Sequence, residues 1–446
     1  MSHSELYVIV GLGVTGVSCA QFLASQGKPF AVVDSRLTPP QLAAFQAQYP
    51  AVTVALGDLD VPLLEQATHL ILSPGVAQSE PAIARQAARG VPVMGDIELF
   101  AQAVKAPVIA ITGTNAKSTV TTLVGEMAAY AGLAVQVGGN LGVPVLELLM
   151  KHPDAALFVL ELSSFQLETT TSLKPRVATV LNVTPDHMNR YRDLSAYQAA
   201  KHRIYQQCEI AVCNRDDPLT DCERPDLLRK FTFTLGAPEK DEFGLLTKRE
   251  GVWLAFQDQP LMRVTDLPVM GKHYQANALA AFALGYAFGL PFEAMIAVLK
   301  RFTGLPHRCQ LVRERQGVRW YNDSKGTNVG ATQAAIEGLG QVISGRLVLI
   351  AGGVGKDADF MPLVPVISQY VRHVVLIGEA ARTLADVMGR HVPLSFANSM
   401  EEAVAQGEAH AEVGDSVLLS PACASFDMFR NYEDRGQVFT QIVNEL

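Results

Sequence analysis

The sequence is poor in the residues that mark secreted, membrane-bound or nucleic-acid-binding proteins. Its 446 residues include six cysteines and two tryptophans, and the cysteines form no C-x-x-C pair and no zinc-type spacing with histidine. Scattered cysteines of this kind are typical of reduced, packed thiols inside a cell. Charged residues make up 18% of the chain and the net charge is −8. This balance argues against nucleic acid or an anionic membrane as the main partner.

Long apolar runs are missing as well. No uninterrupted apolar stretch is long enough to span a bilayer. The N-terminal residues Met1–Leu6 carry no basic region ahead of the first apolar run, so a signal peptide is not indicated. There is no fixed-period repeat and no low-complexity tract. We therefore expect a soluble, cytoplasmic protein without membrane insertion.

What the chain does have is enough apolar sequence for several domains. Hydrophobic residues account for 49% of it, and a length of 446 residues predicts two to four domains. Short apolar runs alternate with helix-compatible segments, which predicts an α/β fold with mostly parallel sheets. We predict three domains, residues 1–95, 96–305 and 306–446, with a small antiparallel appendage over residues 231–264.

The stretch Pro107–Thr122 organises the chain. An apolar run ends in Thr-Gly-Thr-Asn-Ala-Lys-Ser-Thr, and a helical pattern follows. Backbone N–H groups and a helix N-terminus meet polyphosphates in this layout, and Lys117 would add a charge for the β/γ-phosphates. Both glycines of the standard P-loop pattern are replaced, by Ile111 and Ala116, so a strand-turn-helix with an exposed lysine is the competing interpretation. Because a β-carbon disfavours positive φ, we expect a loop conformation that alanine tolerates at Ala116.

A second glycine-rich turn lies near the N-terminus. Gly11-Leu12-Gly13-Val14-Thr15-Gly16 follows a strand-like run and opens a helical pattern, and Asp34 ends the next strand-like run. This is the dinucleotide fingerprint in its proper context, which favours NAD. The same unit can hold other nucleotides at its strand ends, so both interpretations stay open.

Three ionisable residues are candidates for a metal site, but none of them by itself indicates one. Glu161 follows the run Leu157–Leu160, His187 follows Ala178–Asn182, and Lys201 lies on a helical segment. Carboxylates at the carboxyl end of a strand are well placed to catch Mg²⁺. A solvated strand end, a hydrogen-bonded histidine and a solvated lysine are the ordinary alternatives.

Four longer motifs, taken together, resemble one family. T-G-T-N-A-K-S-T, L-E-L-S-S-F-Q-L-E, L-P-H-R and S-P-A-C-A-S-F-D-M-F stand in the order found in the Mur ligases, ATP-dependent amide-forming enzymes of peptidoglycan precursor synthesis. The resemblance is greatest to the members that add D-glutamate. It implies a monomer with Rossmann-like first and third domains, a P-loop-type ATPase domain between them, ATP and two Mg²⁺ as cofactors, and UDP-N-acetylmuramoyl-L-alanine and D-glutamate as substrates.

The resemblance also implies roles for particular residues. The implied catalytic residues are Lys117, His187, Lys201 and Lys325. The implied ATP contacts are Gly113, Thr114, Asn115, Ala116, Lys117, Ser118, Thr119, Asn277, Arg308 and Asp323. The implied metal ligands are Ser118, Glu161, His187 and an N-carboxylated Lys201. The implied UDP-substrate contacts are Thr15, Asp34, Ser35, Arg36, Gly75, Asn140, Ser163 and Gln166. The implied D-glutamate contacts are Thr327, Lys356, Ser425, Phe426 and Tyr432.

The chain departs from the family pattern at five positions, which are Ala116, Asn189, Tyr274, Gln310 and Val354. At Tyr274 the usual asparagine contact with adenine is lost, and ring stacking is a possible replacement. The two rivals are another amide ligase of this superfamily, with a different amino acid, and a nicotinamide-dependent oxidoreductase.

Overall fold

The computed structural model describes residues 5–269 and 271–446. In this part of the chain the strands form three sheets, each with helices packed on both faces. The α/β class is confirmed.

The first sheet is wholly parallel, with strand order β3-β2-β1-β4-β5. Its elements are β1 (Tyr7–Val10), α1 (Val14–Ser25), β2 (Phe30–Asp34), α2 (Leu42–Gln48), β3 (Val54–Leu56), α3 (Pro62–Glu65), β4 (His69–Leu72), α4 (Pro81–Ala88) and β5 (Val93–Met94), followed by α5 (Asp96–Ala103). The turn between β1 and α1 is tight. A Cβ at Gly16 would lie 2.0 Å from the carbonyl oxygen of Gly11, so only glycine fits there.

The second sheet is long, with order β14-β13-β12-β11-β10-β9-β6-β8-β7. Its first part contains β6 (Val108–Thr112), α6 (Lys117–Tyr130), β7 (Val135–Gly139), α7 (Val145–Lys151), β8 (Leu157–Glu161), α8 (Ser164–Glu168), β9 (Val177–Val180), α9 (Leu194–His202) and β10 (Ile210–Asn214). Its second part contains β11 (Arg229–Phe233), β12 (Glu242–Lys248), β13 (Gly251–Phe256), β14 (Gln259–Arg263), α10 (Lys272–Phe288) and α11 (Phe292–Leu299).

The antiparallel strands are not a separate appendage, as the turn signals had suggested. β12 pairs with β11 in parallel, and β13 and β14 then continue the same sheet in antiparallel fashion. The aromatic residues Phe243, Phe256 and Tyr286 pack together beneath these strands, so α10 covers the extension as well as the parallel part.

The third sheet has order β15-β16-β20-β17-β18-β19, parallel except for the edge strand β15. Its elements are β15 (Gln310–Arg315), β16 (Val318–Asn322), α12 (Val329–Gly340), β17 (Leu347–Gly352), α13 (Val364–Tyr370), β18 (Val371–Ile377), α14 (Ala381–Met388), β19 (Leu394–Phe396), α15 (Met400–His410), β20 (Ser416–Leu419) and α16 (Tyr432–Glu445).

The hydrophobic cores show how the sheets are joined. One core contains Ile9 and Phe100 from the first part of the chain and Val145 and Phe158 from the second. The two cores around the third sheet draw all their buried residues from Trp320 onwards. All six cysteines are free thiols and five are buried, as expected. Among the described residues, the helices are all too short or too polar to cross a membrane.

Candidate active site

The loop between β6 and α6 has the shape that a phosphate-binding loop requires. Gly113 has a φ of 152° and Ala116 a φ of 67°. The expectation about Ala116 was therefore wrong, because this residue adopts the left-handed conformation that glycine usually supplies. Asn182 ties the loop down: its Oδ1 accepts from the Asn115 N–H at 2.8 Å and its Nδ2 donates to the Asn115 carbonyl at 3.2 Å.

Lys117 lies inside this loop. Its Nζ donates to the carbonyl oxygens of Gly113 and Thr114, both at 2.9 Å. Burial lowers the pKa of Lys117, while the carboxylate of Glu161 acts in the opposite direction. A polyphosphate would provide the negative charge that this buried ammonium lacks in the loop itself.

Glu161 ends β8, beside β6, where Ile111 is its partner across the sheet. Asn140 donates its Nδ2 to Glu161 Oε1 at 2.9 Å, whereas Glu161 Oε2 is buried and has no hydrogen-bond partner among the described atoms. An unpartnered buried carboxylate oxygen beside a phosphate loop is what a hard cation such as Mg²⁺ would satisfy. Glu161 could therefore supply one ligand to a magnesium ion, although the described residues contain no cluster of three or more histidine, cysteine or acidic side chains that would hold a metal by themselves.

Two further predicted ligands lie close to this carboxylate. The Lys201 side chain is buried, and its Nζ donates to the Gly113 carbonyl at 2.8 Å. Burial, followed by the charge of Lys117, lowers the pKa of Lys201 well below its usual value. Burial also lowers the pKa of His187, whose ring packs edge-on against Phe165. A lowered pKa favours the uncharged form of each group, and that form keeps a lone pair available.

The third sheet brings charged residues to the same place. Arg308 Nη2 and Lys325 Nζ donate to Ser118 Oγ at 3.1 and 3.2 Å. Burial, with the neighbouring charge of Arg308, lowers the pKa of Lys325 to about 8. Asp323 is buried behind them, accepts a hydrogen bond from Ser420 Oγ at 2.7 Å and has a pKa raised by burial to about 6.

These residues surround connected cavities between the second and third sheets. A central cavity of about 400 Å³ is lined by Lys117, Asn140, Glu161, His187, Arg308, Lys325 and Tyr432 among others. On one side, a largely apolar cavity of about 280 Å³ is lined by Ala116, Tyr274, Asn277, Arg308 and Asp323. On the other side, a cavity of about 330 Å³ is lined by Asp186, Thr327, Asn328 and Lys356. The arrangement suits a flat apolar base on one side, phosphates in the middle and a small polar molecule beyond.

Comparison with known proteins agrees with this geometry. A model of the Mur ligase MurD-like N-terminal domain matches residues 5–95, the Mur ligase middle domain matches residues 111–285, and the Mur ligase glutamate ligase domain matches residues 307–423. The chain is also 55% identical to a curated UDP-N-acetylmuramoylalanine--D-glutamate ligase of Pseudomonas fluorescens, over 100% of this chain and 99% of the relative. The chain belongs to the Mur ligase family.

Solved structures of Mur ligases share its fold. A UDP-N-acetylmuramate-alanine ligase MurC from Thermotoga maritima aligns with a TM-score of 0.61 at 17% identity, over 99% of this chain and 100% of that one. A MurF ligase from the same organism, solved in complex with ADP, aligns with a TM-score of 0.61 at 15% identity, over 100% of this chain and 96% of that one. The three-domain Mur ligase fold is thereby confirmed.

The glycine fingerprint belongs to the MurD-like N-terminal domain, and the nicotinamide interpretation is set aside. At its strand ends, Asp34 accepts hydrogen bonds from the Leu12 N–H at 2.7 Å and from Arg36 Nε and Nη2 at 2.9 and 2.7 Å. Burial opposes ionisation of Asp34, but these donors prevail and bring its pKa to about 2. Thr15, Ser35 and Gly75 follow β1, β2 and β4, so they lie at the carboxyl ends of the strands of the same sheet. Asp34 thus holds the turn and Arg36 in place as a carboxylate.

Two of the remaining predicted UDP-substrate residues lie at the start of α8 in the second domain of this Mur ligase. Ser163 and Gln166 form a capping box at the start of α8, and Gln166 Nε2 also donates to Asp96 Oδ2 at 3.1 Å. This contact ties α8 to α5, which follows the first sheet.

The predicted D-glutamate positions are only partly brought together. Thr327 and Lys356 line one cavity, and Tyr432 lines the central one beneath Lys325, whose Nζ is 4.7 Å from the ring centre. Ser425 is buried and Phe426 is exposed, and neither lines these two cavities. Their roles stay predictions.

The departure at Tyr274 lies beside the largely apolar cavity, and its contact with adenine stays a prediction. The Tyr274 ring stacks on Phe302 and its hydroxyl donates to the Phe302 carbonyl at 3.2 Å. The ring therefore forms part of the cavity wall and already has its stacking partner.

Residues of the site that sequence reasoning missed are Asn182, Asp186, Asn328 and Glu433. Asn182 and Asp186 lie in the short segment that leads to His187, and Glu433 follows Tyr432. Asn328 is the N-cap of α12. A capping preference was visible at Asn328, whereas its contacts with another domain were not.

Proposed function

We propose that the chain is an ATP-dependent ligase that joins D-glutamate to UDP-N-acetylmuramoyl-L-alanine in peptidoglycan precursor synthesis. The observation that carries the proposal is the central cavity, where a phosphate loop, an unpartnered buried carboxylate and cations from another domain face one another. Identity of 55% over the full chain to a relative of that name supports the choice of substrates. We further propose that the enzyme works as a cytoplasmic monomer.

The reaction requires activation of a carboxylate, because a carboxylate is a poor electrophile for an amine. The alanine carboxylate oxygen attacks the γ-phosphorus of ATP, and ADP leaves with the electrons of the broken P–O bond. The neutral amine of D-glutamate then attacks the acyl phosphate, the nitrogen gives up a proton, and the tetrahedral oxyanion expels phosphate to leave an amide. In this proposal Lys117 and Lys325, which line the central cavity, stabilise the negative charge that builds up in these steps.

ATP occupies the loop and the apolar cavity in this proposal. Residues 113–119 hold the phosphates, and the adenine lies beside Asn277. Arg308 and Asp323 help to orient the nucleotide. The ADP complex of the MurF ligase supports a nucleotide in this fold.

Mg²⁺ would be held by Ser118, Glu161, His187 and Lys201, with two ions proposed, and would neutralise phosphate charge. Lys201 would serve as a ligand after its uncharged amine adds to CO₂ and loses a proton, which converts it to a carboxylate. UDP would lie along Thr15, Asp34, Ser35, Arg36 and Gly75, and the muramoyl group near Asn140, Ser163 and Gln166. D-Glutamate would lie among Thr327, Lys356, Ser425, Phe426 and Tyr432.

The test is phosphate release from Mg-ATP with UDP-N-acetylmuramoyl-L-alanine, with D-glutamate, L-glutamate or L-alanine added separately. We expect release only with D-glutamate. Release with another amino acid would assign the chain to a different amide ligase. In the Lys117→Ala variant, acyl-phosphate formation should be abolished while UDP-substrate binding survives, and retained turnover would contradict the role of the loop.

A further inference from the structure

Asn328 contacts two different parts of the second domain. Its Nδ2 donates to Asn115 Oδ1 in the phosphate loop at 3.1 Å and to Asp186 Oδ2 at 3.1 Å. Its Oδ1 accepts the Ala331 N–H at 2.9 Å, which caps α12. The side chain is 7% exposed, so these hydrogen bonds are shielded from water.

Asp186 carries the connection onward to the amino-acid side. Lys356 Nζ donates to Asp186 Oδ1 at 2.9 Å, while Asn328 occupies the other carboxylate oxygen. The route from the phosphate loop to Lys356 is therefore a continuous chain of hydrogen bonds through Asn115, Asn328 and Asp186.

Asn328 also belongs to the wall between two cavities. It lines both the central cavity and the cavity that contains Lys356. A movement of the phosphate loop on one side would therefore be transmitted through Asn328 to Asp186, which holds Lys356 on the other side.

We infer that Asn328 is a positioning residue that couples nucleotide binding to D-glutamate binding by holding Asp186, and through it Lys356, in register with the phosphate loop. The inference rests on the proposed function, since it takes ATP and D-glutamate as the two ligands. Its consequence is a coupling between the sites: nucleotide in the loop tightens D-glutamate binding, and D-glutamate tightens nucleotide binding by the same factor.

The chain allows the cap of α12 to be separated from this link. Asn328→Ser keeps a side-chain oxygen for the Ala331 N–H but removes both Nδ2 donors. D-Glutamate binding is measured by calorimetry on the full chain with Mg²⁺ and UDP-N-acetylmuramoyl-L-alanine, with and without a non-hydrolysable ATP analogue. We expect the analogue to tighten binding about tenfold in the wild type and less than about twofold in Asn328→Ser. A merely structural role would weaken binding in both states and leave the ratio unchanged.

A reciprocal pair tests the contact itself. Asn328→Asp keeps the cap but sets two carboxylates against each other, and it should lose the coupling. Adding Asp186→Asn reverses donor and acceptor across the same contact, so the double variant should recover much of the ratio.

Several outcomes would overturn the inference. These are a wild type without coupling, an Asn328→Ser variant with the wild-type ratio, or a double variant no better than Asn328→Asp. Failure of the proposed function would look different, because the wild type would then bind neither the nucleotide analogue nor the UDP-substrate.

Discussion

Ala116 has a φ of 67° and a ψ of −7° at the N-cap of α6. An L-residue in this conformation is disfavoured by roughly 1 to 2 kcal/mol, because Cβ approaches a backbone carbonyl oxygen. Asn115, the residue just before Ala116, is held by its backbone hydrogen bonds with Asn182, and these bonds fix the loop. The phosphate loop thus keeps its shape despite the residue at its centre.

Ala116→Gly should relieve this strain. We expect the variant to be more stable by about 1 kcal/mol in urea unfolding, with ATP affinity equal to or better than that of the wild type. The matched control is Ala131→Gly at the other end of α6, where φ is −75° and glycine brings no relief. Equal effects at the two positions would mean that strain at Ala116 is negligible.

Asp96 is a second residue whose position in the fold is energetically unfavourable. It begins α5 with 4% of its surface exposed, and its Oδ1 has no partner. Burial raises the pKa of Asp96 from its ordinary 3.8 to about 6. Its protonated form is therefore favoured in the folded protein, and the associated stability is lost as pH rises towards 6.

Asp96→Asn should remove that pH dependence. Relative to the wild type, we expect the variant to gain about 2 kcal/mol of stability between pH 4 and pH 7, as measured by urea unfolding across this range. Glu98→Gln provides a control of opposite sign. Burial opposes ionisation of Glu98, but the Thr171 and Ser172 N–H groups prevail and lower its pKa, so this variant should lose relative stability as pH rises. If the stability difference between Asp96→Asn and the wild type did not change with pH, the raised pKa of Asp96 would be contradicted.

At the scale of elements, the sequence predicts the buried strands well. The predicted runs that lead to Asp34, Thr112 and Glu161 are all strands in the structure, and the polar residue at the end of each still pairs in the sheet. The residues at those ends, such as Glu161, follow directly. Pairing of β12 with β11 was not foreseeable, because turn signals mark where a strand ends and not which neighbour it joins.

The site was predictable within motifs and not between them. Lys117, Glu161 and Lys325, each singled out from its own motif, line one cavity, and their roles stay predictions. Asn328 and Asp186 lie far apart in the chain, and neither residue type nor spacing points to their contact. Such pairs depend on how two domains lie against each other, which local patterns do not encode.

Helix α12 covers the largely apolar cavity that contains Tyr274 and Asn277, and it packs closely against α10 at one point. A Cβ at Gly338 would lie 2.7 Å from His273 Nδ1, and a Cβ at Gly271 would lie 2.9 Å from the Cε1 of the same ring. The imidazole is therefore confined between two glycines. Ala331, Ala334 and Ala335 of α12 line the cavity directly beyond it.

Gly338→Ala should push α12 away from α10. Overpacking of this kind costs about 1 to 3 kcal/mol, and if that cost falls on ATP binding the KM for ATP rises roughly 5- to 150-fold. The KM for the UDP-substrate should stay within about twofold, since that site lies elsewhere. Adding His273→Ala makes room for the new methyl group and should restore ATP binding. A double variant as impaired as Gly338→Ala would show that the ring is not the obstacle.

At the scale of the whole molecule there are three sheets, but the first two share one hydrophobic core and the third has cores of its own. Phe100 of α5 packs edge-on against Phe158 of β8 with ring centres 5.1 Å apart, inside a core that also contains Ile9 and Val145. Among the described residues the third sheet shares no such core with the other two, and its contacts with the second domain are polar ones such as Arg308 to Ser118, together with the packing of α12 against α10. Polar interfaces of this kind allow domains to move, whereas a shared apolar core does not.

This difference predicts how fragments behave. Residues 306–446 should fold alone and unfold cooperatively, at a midpoint close to one transition of the full chain. Residues 1–95 should not, because the fragment ends before α5 and exposes apolar surface at roughly 25 cal/mol for each Å² left uncovered; residues 1–305 should fold. Circular dichroism and urea unfolding of the three fragments provide the measurement. Cooperative unfolding of residues 1–95 would show that the shared core is dispensable, and the first two domains would then be as free to move as the third.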